Sequence, residues 1–339
     1  VSRVLNGYPD VAPRTRERVL AAIEEHDYTP VRAARSLVTG RTHVIGVILE
    51  TGAGHPDLQH PFFQEVLVGL KHAVGGLGYD LLLFSTETSG NGYVNGATQR
   101  FLARARQHRV DGVVLMGVDR HASQIQELVA SGIPTMSIDL DLEGDRAGHV
   151  MSDNVTGGTL AVRHLVELGH TRIALIGGPQ DGRPGVDRLL GYRRELLRLG
   201  LEHRPEYVRE GDFYPGSGYG EMMSLLNLSD PPTAVFAAAD LMAAGAIRAI
   251  SERGMRCPDH VSVVGFDDVQ LAGLLQPPLT TVRQDKQRMG RVAGEGLIRA
   301  IDDPTIAPPT VVVPVELVIR TSAAAPPPDV PGERGGSGG

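Results

Sequence analysis

HVIGVILE at residues 43–50 is a continuous apolar run, the pattern of a strand covered on both faces. The next stretch, PFFQEVLVGLKHAVGGLG at 61–78, changes period. Phe62, Val66, Leu70, Ala73, Val74 and Leu77 recur three and four residues apart, which is one face of a helix. Gly78 ends that helix, and YDLLLFS at 79–85 opens another strand. Residues 110–116 and 133–138 repeat the strand pattern, with helical stretches between them. This alternation predicts a parallel sheet with helices on both faces. The rhythm then restarts. Residues 156–168 read as a helix with Leu160, Ala161, His164, Leu165 and Leu168 on one side, and RIALIG at 172–177 as a strand. A helix over 185–199, a strand over 234–237, a helix over 241–253 and a strand over 261–266 follow. A helix over 285–301 and a strand over 315–320 complete the sheets. The expected fold class is α/β, with two doubly wound lobes and a cleft between them where a small ligand binds. The expected boundaries are 43–151 plus 284–312 for the first lobe, and 152–283 plus 313–325 for the second. Residues 326–339, ending GGSGG, are expected to form a disordered tail.

Composition narrows the class. The chain has 339 residues, of which 41% are hydrophobic and 22% charged, a globular balance. Its single cysteine, Cys257, excludes a disulfide framework and any cysteine-based zinc or iron–sulfur site. No apolar run approaches the ~18 residues of a membrane span. No basic start with an apolar stretch and cleavage site opens the chain, so a cytoplasmic protein without a membrane partner is expected. The net charge is −7, yet residues 1–43 carry +2 and the remainder −9. A mildly basic end on an acidic body fits a small DNA-contacting module. Within it, Pro13 suits the first position of a helix running to about Asp27. VRAARSLV at 31–38 reads as a second helix, too short to hold in water alone.

Eight segments in order resemble the LacI/GalR family of bacterial transcription regulators. They are VSRVLNG (1–7), RTRERVLAAIE (14–24), YTPVRAARSLVTG (28–40), PFF (61–63), LVELGHTRIALIGG (165–178), DLMAAGAIRA (240–249), VSVVGFDD (261–268) and PPLTTVRQ (277–284). The resemblance implies two periplasmic-binding-protein-like lobes behind a helix-turn-helix headpiece (1–30) and a hinge helix with its linker (31–42). It implies a homodimer on operator DNA, controlled by a small-molecule effector, in the role of a repressor. DNA contacts are then expected from Ser2, Arg3, Asn6, Arg32, Arg35 and Leu37, with Leu37 wedged into the minor groove to kink the duplex. The family's first headpiece helix has no counterpart here, so operator binding by this chain is expected to be weakened. Val31 stands where the family usually has asparagine, and the lost cap should cost the hinge helix about 1 kcal/mol.

The same resemblance implies an effector site of Phe62, Phe63, Asp139, Arg188 and Asp267. The phenyl rings would stack on a sugar or base ring; the alternative for each is core packing. Asp139 ends TMSID on the carboxyl edge of the sheet, where ligands bind. The Arg188 guanidinium offers a fork of donors to vicinal hydroxyls or a carboxylate. Asp267 would accept from ligand hydroxyls. Two acids, an arginine and aromatics suit a sugar or sugar derivative. Ala239 replaces a family asparagine, which predicts a larger or less polar pocket at that point. His55 and His60 lie in a long loop and are read as solvated.

No cofactor, metal site or catalysis is expected. Gly177 and Gly182 have the spacing of a phosphate loop, but Arg183-Pro184 follow where Lys and Ser or Thr are required. Gly52-Ala53-Gly54 lacks the third glycine of a dinucleotide fingerprint, and no GxSxG elbow occurs. His164 and His170 are six apart, which is no helical metal pair. The alternatives are a periplasmic sugar-binding protein, disfavoured by the headpiece-like segments, and a dinucleotide-dependent enzyme, disfavoured by the incomplete fingerprint.

Overall fold

A computed structural model describes residue 4 and residues 9–26, 40–49, 58–84, 101–118 and 121–326. The chain divides into two units, Val1–His43 and Val44–Gly339. In the first, α1 (Pro13–Glu25) starts with proline at its first turn, where a missing N–H costs nothing. Thr15 N–H and Arg16 N–H donate to the Ala12 carbonyl. Val19 and Ile23 are half-buried, and Leu20 is exposed. Ser2, Arg3, Asn6, Arg32, Arg35 and Leu37 lie outside the described residues, as does His55.

The second unit holds two six-stranded sheets. The strands of the first are β1 (Val44–Leu49), β2 (Asp80–Phe84), β3 (Gly112–Met116), β4 (Thr135–Ile138), β5 (Ala147–Ser152) and β11 (Thr310–Val313). Their order is β11-β5-β4-β3-β1-β2, all parallel. The second contains β6 (Ile173–Gly177), β7 (Val208–Glu210), β8 (Ala234–Ala237), β9 (Ser262–Asp267), β10 (Thr280–Gln284) and β12 (Val315–Val318). Their order is β12-β10-β9-β8-β6-β7, parallel except where β12 runs against β10.

The inner strands of each sheet are buried on both faces, which is why they read as unbroken apolar runs. Ile45, Val47 and Leu49 enter one core of the first lobe, while Ile48 enters the other. Ala174 and Ile176 are divided in the same way from Ile173 and Leu175 in the second lobe. The alternation follows from the period of two along a strand.

The first lobe adds α2 (Pro61–Gly76), α3 (Phe101–Gln107), α4 (Ser123–Ala130) and the late α10 (Lys286–Asp302). The second adds α5 (Asn154–Glu167), α6 (Arg183–Arg198), α7 (Pro215–Leu226), α8 (Asp240–Glu252) and the short α9 (Gln270–Leu274). Helices α2 and α10 cross at near backbone contact. A Cβ on Gly69 would stand 2.0 Å from the Gln287 carbonyl oxygen, and one on Gly290 2.0 Å from that of Val66.

The chain passes between the lobes three times, each time through one residue outside regular structure. Asp153 separates β5 from α5, Asp285 separates β10 from α10, and Pro314 separates β11 from β12. Both aspartates cap the helix they precede, accepting from Thr156 N–H and Arg288 N–H. Asp153 N–H also donates to the Val313 carbonyl at 2.9 Å, so two crossings lie side by side. Among the described residues, no helix is long and apolar enough to cross a membrane.

Candidate functional site

A cavity opens at the carboxyl ends of the strands, between the lobes. It is lined by His60, Phe62, Phe63, Val118, Ile138, Asp139 and Leu140 on one side, and by Pro179, Asp181, Pro184, Arg188, Phe213 and Asp267 on the other. The space, including its mouth, is about 760 Å³. The five expected effector residues, Phe62, Phe63, Asp139, Arg188 and Asp267, are brought together here.

Arg188 sits on α6 and is 3% exposed. Its guanidinium carbon lies 3.8 Å from the ring centre of Phe266 and 5.6 Å from that of Phe213. Its Nε donates to Asn154 Oδ1 at 2.8 Å, and Nη1 donates to the Ala238 carbonyl. The cation is thus fixed by stacking and hydrogen bonds before any ligand arrives. Gly178 makes room for one of these rings: a Cβ there would stand 2.1 Å from Phe213 Cζ.

Two carboxylates face the guanidinium. Asp267 ends β9 with φ +113°, and its Oδ1 accepts from Gln284 Nε2 at 2.6 Å, 3.9 Å from Arg188 Nη1. Asp139 follows β4 with φ +58°. Its Oδ1 is buried without a hydrogen-bond partner. Burial pushes the Asp139 carboxyl up to about 6; Arg188 opposes the shift, while Asp267 and Asp187 add to it. Behind them lies Asp240, fully buried, accepting from Thr281 Oγ1 at 2.5 Å and Val269 N–H at 2.8 Å. Burial, with the charge of Asp267, raises its pKa well above the usual range.

The rings divide between wall and core. Phe62 and Phe63 are buried, belong to the first-lobe core and also line the cavity, so packing and lining are not alternatives for them. Their centroids are 5.1 Å apart, edge to face. Two expectations need correction. His60 is not solvated: it is 4% exposed, caps α2 by accepting from Phe62 N–H through Nδ1, and meets the Tyr214 ring edge-on at 5.7 Å. The histidine directly before Pro61 occupies a capping position, which buries it at the cavity lip. Ala239, in turn, does not line the cavity. It is fully buried in the second-lobe core at the start of α8, so it does not enlarge the cavity. Phe213 is an added wall residue with no sequence signal, since it lies in the irregular stretch between β7 and α7 at φ +69°.

A half-open cavity between two lobes, holding a fixed cation and two acids, defines a receptor for a small molecule. Comparison with known proteins supplies the rest. Residues 1–31 match the model of bacterial regulatory proteins of the lacI family, and residues 162–323 that of a periplasmic binding protein-like domain. The HTH-type transcriptional regulator CelR of Thermobifida fusca is 38% identical over 95% of this chain and 93% of its own length. The solved complex of a transcriptional regulator CelR with cellobiose gives a TM-score of 0.73 at 34% identity, covering 95% of this chain and 94% of that one. The lac repressor dimer bound to operator and the anti-inducer ONPF gives a TM-score of 0.80 at 31% identity, covering 96% and 94%. The chain belongs to the lacI family of bacterial regulatory proteins. It is a DNA-binding transcriptional repressor under effector control.

Proposed function

We propose that the effector is a neutral sugar of about disaccharide size, held between the lobes by Phe62, Phe63, Asp139, Arg188 and Asp267. The observation that carries this is the buried Arg188 grouped with Asp139 and Asp267 in a space whose other walls are mostly rings, aliphatic side chains and prolines, with Asp181 at an exposed position. Sugar hydroxyls can accept from a guanidinium and donate to carboxylates, and a pyranose face packs on aromatic carbon. Two acids against one cation favour an uncharged ligand over a sugar phosphate. The likeness to a cellobiose-bound regulator makes cellobiose the first compound to try. The lobe boundaries are proposed to fall at the crossings at Asp153, Asp285 and Pro314, a residue or two beyond the expected 151/152, 283/284 and 312/313, because β5, β10 and β11 run on to Ser152, Gln284 and Val313. Ser2, Arg3, Asn6, Arg32, Arg35 and Leu37 are the proposed operator contacts. The working assembly is proposed to be a homodimer; sedimentation should give twice the chain mass of 36.2 kDa, and a monomer at micromolar concentration contradicts it.

Calorimetric titration with cellobiose tests the site. At 100 times its dissociation constant, a ligand adds about 2.7 kcal/mol of stability, or roughly 5–10 °C in melting temperature for a chain of this kind. Absence of heat and of any melting shift with cellobiose and a panel of other neutral sugars sinks the reading.

Asp139 gives the titration a pH signature. Its folded pKa is raised to about 6 from 3.8. The stability linked to its proton is therefore full below pH 3.8 and lost as pH rises through about 6. A ligand hydroxyl donating to Oδ1 needs the carboxylate, so binding must expel that proton in acid. Affinity should fall about tenfold between pH 7 and pH 5, and Asp139→Asn should flatten that dependence. Equal affinity at both pH values in the parent protein would show that ligand ignores this carboxyl.

A further inference from the structure

Lys286, the first residue of α10, is 2% exposed although it carries a charge. Its Nζ donates to the Asp267 carbonyl at 2.5 Å and to the Asp268 carbonyl at 3.2 Å, both in the second lobe. It also lies 3.6 Å from Glu65 Oε1 on α2, in the first lobe. Asp267 and Asp268 have φ of +113° and +50°, conformations that side chains other than glycine hold only when surrounding groups enforce them. Here the enforcement is complete. Gln284 holds the Asp267 carboxylate, Arg283 and Arg320 hold that of Asp268, and Lys286 holds both carbonyls.

One end of this link is a cavity wall, and the other stands on the helix that carries two wall residues. Asp267 lines the second-lobe side. Glu65 stands about one turn along α2 from Phe62, which lines the first-lobe side. Burial raises the Glu65 pKa and the Lys286 charge opposes that rise, as expected for a half-buried pair. The route runs beside the second crossing at Asp285, where the chain itself passes from one lobe to the other. We infer that Lys286 is a positioning residue that couples the Asp267 turn to Glu65 and α2, so that what a ligand does to one wall of the cavity is transmitted to the other. The inference rests on the cleft reading above, but its main test does not need a ligand.

Hydrogen exchange of the full chain, first without sugar, provides that test. Glu65→Gln removes a charge on α2 and leaves Lys286 its carbonyl acceptors. It should speed exchange about threefold or more at 267–269 as well as at 62–70. Lys286→Met should speed both segments by roughly tenfold, and the double variant should match Lys286→Met, because one link is lost only once. Lys286→Arg, which keeps the donors, should restore most of the protection. With cellobiose at saturation, the parent should gain protection in both segments, and Lys286→Met should lose the correlation. If Glu65→Gln acts only within α2 and the double variant is additive, Lys286 is an ordinary buried cation and the inference falls. If the sugar-free pattern holds but cellobiose protects neither segment, the coupling stands and the choice of effector falls. Should Lys286→Met not fold, Glu65→Gln measured at low and high salt decides: salt screens its direct repulsion of Asp267 and Asp268, so an effect at 267–269 that survives salt supports the link and one that vanishes overturns it.

Discussion

Arg188→Ala should abolish the sugar response and cost about 3–5 kcal/mol of stability at pH 7, the loss typical when one partner of a buried charge cluster is removed. The guanidinium stands between the rings of Phe266 and Phe213 and faces Asp139 and Asp267. Burial lowers the basicity of Arg188, and Asp267, Asp139, Asp240 and Asp187 oppose that shift in decreasing order. Deleting the cation leaves those acids facing each other in the interior. The Asp139 carboxyl, already pushed up to about 6, must then rise further. The sign follows: an acid with a raised folded pKa costs stability above that pKa, so the deficit should shrink as pH falls from 7 to 5. Melting temperature should drop by roughly 10 °C at pH 7 and by less at pH 5. Arg188→Lys separates the two effects. It keeps the charge but loses the planar stack and fork, so it should recover part of the stability and little of the binding. A variant without Arg188 that melts within about 2 °C of the parent at pH 7 would refute the argument.

Gly290→Ala should lower stability by about 3 kcal/mol, against the direction that helix propensity dictates. In an exposed helix interior, alanine is favoured over glycine by about 0.5–1 kcal/mol. At Gly290 the new Cβ would lie 2.0 Å from the Val66 carbonyl oxygen and 2.6 Å from Leu70 N. Neither is a flexible side chain, so α2 and α10 must part, and both helices supply the same first-lobe core. Gly75→Ala is the control. It lies near the end of α2 with nothing within 4 Å of its Cβ, and it should be neutral or slightly stabilising. Thermal melts of the two variants side by side give the answer, and equal behaviour would mean that the helices are free to separate.

The fold was legible because parallel strands covered on both faces cannot hide: HVIGVILE and RIALIG have no polar face to disguise them. Less legible was α7, whose sequence PGSGYGEMMSLL reads as a loop. One of its glycines, Gly218, admits α8. A Cβ on Gly218 would stand 2.1 Å from the Met242 carbonyl oxygen, and Gly245 of α8 lies as close to Pro215. Such close approach is invisible to propensity. The edge strand β11 was missed because its burial alternates while its sequence, TVVV, does not, so a four-residue run shows no polar face. At the cavity, charged and aromatic residues that stood in segments with a recognised order could be placed by number. His60 could have been read from its position before Pro61, whereas Phe213 could not. Lys286 offered no signal either, since a lysine at a helix start is ordinarily solvated and only the meeting of two distant chain segments buries it.

The three single-residue crossings carry a consequence for biosynthesis. The first lobe lacks α10 and β11 until the chain has returned through Asp285, so the whole of β6–β10 leaves the ribosome before those two elements exist. At roughly 5–20 residues per second, the core around Leu70, Val74 and Leu297 stays incomplete for on the order of ten seconds. During that interval β5 has no neighbour on its outer side, because β11 fills that place only at the end. The nascent protein should therefore be most vulnerable to chaperone capture and to proteolysis at β1–β5, the part made first, and ribosome-bound chains stalled before and after residue 313 should differ sharply in protease resistance there.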